Sequence, residues 1–160
     1  MRSIYATPEA QFGTEGRLVL CRLVGPDTDV AMYEMVRVLS DELRDPAGRA
    51  VFIVVASTAS VPNSDASSAV SQLVIQHGRR VLGSALTIEG SGFRAAAKRA
   101  LAMSVRMLVK KTYPQGTFGD VGTASSWLAE QVPELSTKLV LGAYGRLIES
   151  APAMLVRSAG

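Results

Sequence analysis

"TIEGSGFRAAAKRALAMSVRM", residues 87–107, reads as the end of a strand, a glycine turn and the start of a helix. Gly90-Ser91-Gly92-Phe93-Arg94-Ala95 also fits G-x-G-x-x-A, the fingerprint of a dinucleotide-binding loop. That fingerprint needs a strand before it, a helix after it and an acid about 20 residues on to hold a ribose. No acid stands between Glu89 and Asp120, and Glu89 directly before the glycines would repel a pyrophosphate. The stretch is therefore read as a tight turn whose glycines supply backbone freedom.

The same alternation extends in both directions. "GRLVLCRLVG" (16–25) is apolar on both faces apart from Arg22, as in a central strand. A piece around Ser3 to Ala6 is expected to pair with it through the "FGTEG" turn as a hairpin. From Asp29 to Arg44, Met32, Met35, Val36, Leu39 and Leu43 recur at helical spacing. "AVFIVVAS" (50–57) is a buried strand by its β-branched run. Ser64 to His77 is a helix with Ala66, Val70, Leu73 and Val74 inward, and "SALTIE" (84–89) is the next strand. A helix follows from about Gly92 to Lys111, with Phe93, Ala96, Ala97, Ala100, Leu101, Met107 and Leu108 on one face. "GTFGDVG" (116–122) holds a short edge strand, and Thr123 to Gln131 a short helix containing Trp127. A further helix spans Glu134 to Glu149, ahead of "APAMLVRSAG". The pattern predicts an α/β fold: a mainly parallel sheet with an N-terminal hairpin, covering helices and an extra C-terminal helix. Residues 1–132 form the α/β domain and 133–160 a helical extension of it.

At 160 residues the chain is long enough for one domain with a proper core. Hydrophobic content of 48% and charged content of 19% exclude a disordered chain. The single cysteine, Cys21, excludes an intramolecular disulfide and fits a reducing compartment. No stretch has signal-peptide character or membrane-span length, so a cytoplasmic location is expected. The net charge of +3 is unevenly spread: residues 79–111 hold eight bases against one acid. Such asymmetry marks either a surface for an anionic partner or a solvated helix face.

The segments "GRLVLCRLVGP", "RAVFIVVAS", "ALTIEGSGFRAAAKRAL" and "GTFGDVGTASSWL" together resemble STAS domains, the sulfate-transporter and anti-sigma-factor-antagonist fold. The likeness covers roughly residues 14–132 and is nearest to divergent bacterial STAS-like (SpoIIAA-like/CRAL-TRIO-like) proteins. It rests on the order of elements. The resemblance implies a non-catalytic regulatory or scaffolding module that acts through protein contacts. It implies as an alternative a small-molecule or lipid carrier of CRAL-TRIO-like type, with a pocket lined by Met103, Met107 and Phe93. Anti-sigma antagonists carry a phosphorylatable serine in a D-S-S/T-G stretch. Here that place reads "STASVPNSDASSAV", without Asp-Ser-Ser-Gly. Ser64, Ser67 and Ser68 are the candidate phosphorylation sites, and Ser64 as a plain helix cap is the competing reading.

Arg94, Lys98, Arg106 and Lys110 form a helical stripe that would stay solvated or face an acidic protein partner or anionic membrane. No aromatic platform accompanies it, so specific nucleic-acid binding is not expected. His77 is the only histidine and lies near a helix end, where a protonated ring complements the dipole. Without a second histidine, no zinc site and no metal or other cofactor is predicted. No G-x-S-x-G elbow accompanies His77, which leaves a hydrolase as the third and weakest reading. The strand-end rim would collect Asp27, Ser57, Thr58, Ser60, Glu89, Ser91 and Asp120, without lysine or histidine, a poor kit for acid–base catalysis. No catalytic residue is assigned. Leu139, Tyr144, Leu147 and Ile148 belong to an apolar face of the last helix, the candidate surface for a homo-oligomer.

Overall fold

The computed structural model describes residues 1–26, 28–60, 63–92, 95–96, 98–99 and 112–151. Its centre is one six-stranded sheet in the order β1-β2-β3-β4-β5-β6. The strands are β1 (Arg2–Ala6), β2 (Ala10–Glu15), β3 (Leu18–Leu23), β4 (Arg49–Val55), β5 (Val81–Ile88) and β6 (Gln115–Phe118). β1, β2 and β3 pair antiparallel, and β3 to β6 run parallel. The sheet is thus mixed and mostly parallel, as the alternation of elements predicts.

The hairpin differs from expectation. "FGTEG" is not the turn: its first four residues lie within β2, and the chain reverses at Gly16, which has φ 57°. The three leading strands form a meander. Gly13 sits in β2 because a Cβ there would stand 2.9 Å from the Arg2 carbonyl and 3.3 Å from Leu147 Cδ1. A glycine inside a strand marks a close approach as readily as a turn.

Among the described residues two helices cover one face. α1 (Thr28–Glu42) and α2 (Ser64–His77) bury Met32, Met35, Val38, Leu39, Ala66 and Leu73 against Phe12, Val19, Cys21 and Val51. Each crossover advances one strand in the same direction, so both helices fall on one side. The other face carries α3 (Val121–Gln131) and α4 (Thr137–Glu149). There Ala124, Leu128, Val140, Ala143 and Leu147 lie over Leu18, Leu20, Phe52 and Val54. The result is a three-layer α/β sandwich, and the C-terminal helix is one of its layers.

That packing corrects the expected oligomer face. Leu147 has no exposed surface, because it fills the space above Gly13, and Leu139 and Tyr144 are half-buried against the same cluster. Of the four candidates only Ile148 is open to solvent, at 40%. Most of the apolar face of this helix packs on its own sheet, and Leu141 and Ile148 stay exposed. Arg146 holds the helix in place, with Nε donating to Glu15 at 3.1 Å across the layer. The pairing with Arg146 draws the Glu15 carboxyl below its ordinary pKa. No helix among the described residues is long and apolar enough to cross a membrane.

Candidate functional site

In α/β sheets ligands gather beyond the carboxyl ends of the parallel strands. On the α3/α4 side the side chains approach that edge in rows. Leu20, Phe52 and Ala85 align across β3, β4 and β5, and all three are buried and apolar. One same-face step nearer the edge, the row reads Gln11, Arg22, Val54, Thr87, Phe118. The interlayer space therefore turns from apolar to polar within a single step.

Gln11 and Thr87 are both buried. The Gln11 amide is engaged at both ends: Nε2 donates to the Thr7 carbonyl at 2.6 Å, and Oε1 accepts from Arg22 Nη1 at 2.9 Å. The Arg22 guanidinium also lies near enough to the Tyr144 hydroxyl, which α4 brings over the strand ends, to act on its ionisation. The Tyr144 ring meets Phe52 edge-on, with centroids 6.3 Å apart. Burial raises the Tyr144 phenol above its ordinary pKa and the Glu89 charge adds to this, against the lowering effect of Arg22. Three groups at this end of the sheet are buried without a hydrogen-bond partner: Arg22 Nε, Thr87 Oγ1 and Arg99 Nε. Leaving such groups unmade costs roughly 1–3 kcal/mol each. Glu89, partly exposed, follows Thr87 by two residues, and its N–H continues the ladder to the Val55 carbonyl at 2.9 Å.

Two cations stand at the rim that the sequence reading left without lysine. Lys98 is buried at 8% exposure, and its Nζ donates to the Ser57 carbonyl at 3.3 Å and to that of Ala59. Lys98 is thus not part of an exposed stripe: its ammonium holds the loop after β4. Arg94, Arg106 and Lys110 lie outside the described residues, as do Phe93, Met103 and Met107 of the expected carrier pocket. Arg99 Nη2 donates to Ile88 at 3.1 Å and to Gly90 at 2.9 Å, tying down the loop after β5. The glycine turn is accounted for by conformation: φ is 106° at Gly90 and 84° at Gly92. Gly90 also lies against Ser57, whose Cβ would be 3.1 Å from an added Cβ.

Several other rim candidates serve the fold. Asp120 caps α3, accepting from the Thr123 N–H and hydroxyl, both at 2.8 Å, and these bonds hold its carboxyl below its usual pKa. The Thr58 hydroxyl donates to the Val24 carbonyl. Asp27 lies outside the described residues. The cap of α2 is Asn63, whose Oδ1 accepts from the Ala66 N–H at 2.8 Å, and not Ser64. Asp29 receives the Asn63 N–H and amide at 2.9 and 2.8 Å, so two carboxylates, Asp29 and Asp65, already attend this helix start. Ser64 and Ser68 are exposed, and the Ser67 hydroxyl donates to the Asn63 carbonyl at 3.0 Å. A phosphate on any of them would meet those carboxylates as like charges.

Cys21 is buried, and burial drives its thiol far above the ordinary range, as in an inert core residue. His77 ends α2, partly buried. Among the described residues no group of three or more His, Cys, Asp and Glu side chains is placed to hold a metal ion. At the opposite end of the sheet a cavity of about 270 Å³ lies beside Arg2, Arg37, Asp41 and Glu42. Its charges pair with one another: Glu42 meets Arg2, and Arg37 meets Asp41 at 3.8 Å.

Fold and rim together define a three-layer α/β domain with a partly buried polar cluster at its strand ends. Compared with known proteins, the chain matches no family model, no curated protein and no solved structure.

Proposed function

We propose that this chain is a non-catalytic, STAS-like module, regulatory or scaffolding in role, that works through protein contacts. The observation that carries the reading is Ile75 on α2, left 75% exposed beside Arg79 and Arg80, both exposed. A large aliphatic side chain held in water next to two guanidinium groups suits a partner surface that is acidic around an apolar spot. Tyr33 and Val30 on α1 are also about half exposed on the same helical layer. The order of elements supports the STAS-like layout, and the inert Cys21 and structural roles of Thr58 and Asp120 support a non-catalytic one.

The test is native mass spectrometry of the protein purified gently from its own cells, alongside the Ile75→Glu variant. The expected result is an assembly, with a second protein or with further copies of the chain, that Ile75→Glu abolishes while the fold is retained. A monomer in both samples overturns the reading.

A second reading, a small-molecule carrier, is favoured by a separate observation: Thr87 Oγ1 and Arg22 Nε are buried without partners at the strand ends. A small mass retained on each protomer would support it.

A further inference from the structure

We infer that the groove between the edge strand β1 and helix α1 is a docking site for an extended segment of a partner protein, which adds to β1 as a further strand. The segment carries an aliphatic side chain into the cavity of the groove and a lysine or arginine one same-face step away, towards Glu34. This rests on the reading of the chain as a protein-contact module, but on a surface separate from Ile75.

The free edge gives the first argument. β1 ends the sheet, and among the described residues its backbone bonds to nothing beyond β2. A row of unpaired N–H and C=O groups is a template for another strand. Arg2, Ser3 and Ala6 are exposed along it. The register shifts between Ser3 and Tyr5, and Ile4 and Tyr5 both pack on the α1/α2 side. A bulge re-aims a side chain, and here Ile4 lines the cavity of about 270 Å³.

The cavity gives the second. Ile4 and Val38 supply its apolar lining. Its Arg2 and Arg37 side chains are 67% and 56% exposed, so its walls reach solvent. Val30, Glu34, Arg37 and Asp41 recur at helical spacing and share the side of α1 that borders β1. A strand laid along the groove would therefore also cover Val30, which is about half exposed.

Charge selects the occupant. Glu34, Arg37 and Asp41 read acid, base, acid in either direction. A second copy laid antiparallel on β1 and centred on Arg37 would set like charges opposite one another, which destabilises. Arg2 meets Glu42, and α1 runs opposite to β1, so Glu34 lies about 12 Å back towards Ala6. At the Arg2 end the acids are met by Arg44 and Arg49 as well. At the Ala6 end, Glu34 shares Arg37 with Asp41, and Glu9 is exposed with no ion pair among the described residues. That end is acidic, and a basic side chain on the occupant complements it.

The experiment selects random peptides displayed on phage against the full chain, then measures hydrogen exchange with synthetic copies of those enriched. Enriched peptides are expected to pair an aliphatic residue with a lysine or arginine two positions away, and to slow exchange of the Arg2–Ala6 amides. Glu34→Lys should weaken them about threefold or more, with an unchanged thermal midpoint. Ile75→Glu should leave them bound, which separates this site from the α2 contact. No enrichment, or bound peptides that leave β1 exchange unchanged, overturns the inference. Unchanged binding to Glu34→Lys overturns the assigned charge, and loss in Ile75→Glu moves the peptide to α2 and overturns the site. A dimer in native mass spectrometry whose β1 amides are protected without peptide overturns it in favour of a second copy.

Discussion

If the last helix is a layer of its own domain, Leu147→Ala should behave as a core truncation. Leu147 has no exposed surface and sits among Leu18, Leu20, Val140 and Ala143, with Gly13 beneath it. The change removes three buried carbons, about 2.4 kcal/mol at roughly 0.8 kcal/mol for each. The cavity left behind raises the total to about 3–4 kcal/mol, within the range of buried Leu→Ala changes. At a urea dependence of about 2 kcal/mol per molar, the unfolding midpoint should fall by roughly 1.5–2 M. Circular dichroism in urea, at two protein concentrations tenfold apart, measures this. Because the contact lies within one chain, the difference between variant and parent should be the same at both concentrations. Ile148→Ala, one position on but 40% exposed, should cost well under about 1 kcal/mol. A loss below about 1 kcal/mol for Leu147→Ala, or a difference that changes with concentration, would refute packing on the chain's own sheet.

Further expectations concern single groups. Glu15 has a folded pKa below its ordinary 4.5, so its contribution is complete above that value and is lost as pH falls through the folded pKa. Glu15→Gln should therefore flatten the acid limb of the stability profile, and an unchanged acid limb would remove the Arg146 pair from the account. Cys21 should resist a thiol reagent in the folded protein and react only in denaturant; rapid labelling under native conditions would contradict its burial. Gly90→Ala should destabilise by about 1–3 kcal/mol, since φ of 106° and the nearby Ser57 both oppose a side chain. A neutral result by thermal melting would show the turn to be less constrained than described.

The sequence made the layered fold legible because its strands and helices carry clean periods. The runs around Val19, Val51 and Ala85, and the helices headed by Asp29 and Ser64, were all readable from apolar spacing. β2 was not, since Gln11, Gly13 and Thr14 look like turn residues when read locally. Gly13 is explained by the Arg2 carbonyl of the neighbouring strand and by Leu147 of a helix more than a hundred residues later. The site was legible in part. Glu89 stood out at the strand end, but Arg22 read as a lone interruption in a central strand. Only the register that aligns it with Gln11 and Thr87 gives it a meaning. Lys98 was misread for a related reason. Helical spacing tells which side chains share a stripe, not which neighbouring loop turns its carbonyls towards one of them.

The salt bridge between Glu15 and Arg146 joins residues 131 positions apart. Synthesis must reach residue 146 before that contact can form. Until α4 emerges, the face bearing Leu18, Leu20 and Phe52 lacks one of the two described helices that pack on it. A chain made only that far carries a partly open apolar sheet face, where it is exposed to aggregation. Its folding is set to be slow, because loop-closure entropy must be met before the last layer can dock. A synonymous change that slows the ribosome before codon 137 would lengthen that exposed interval without altering a single residue of the finished molecule.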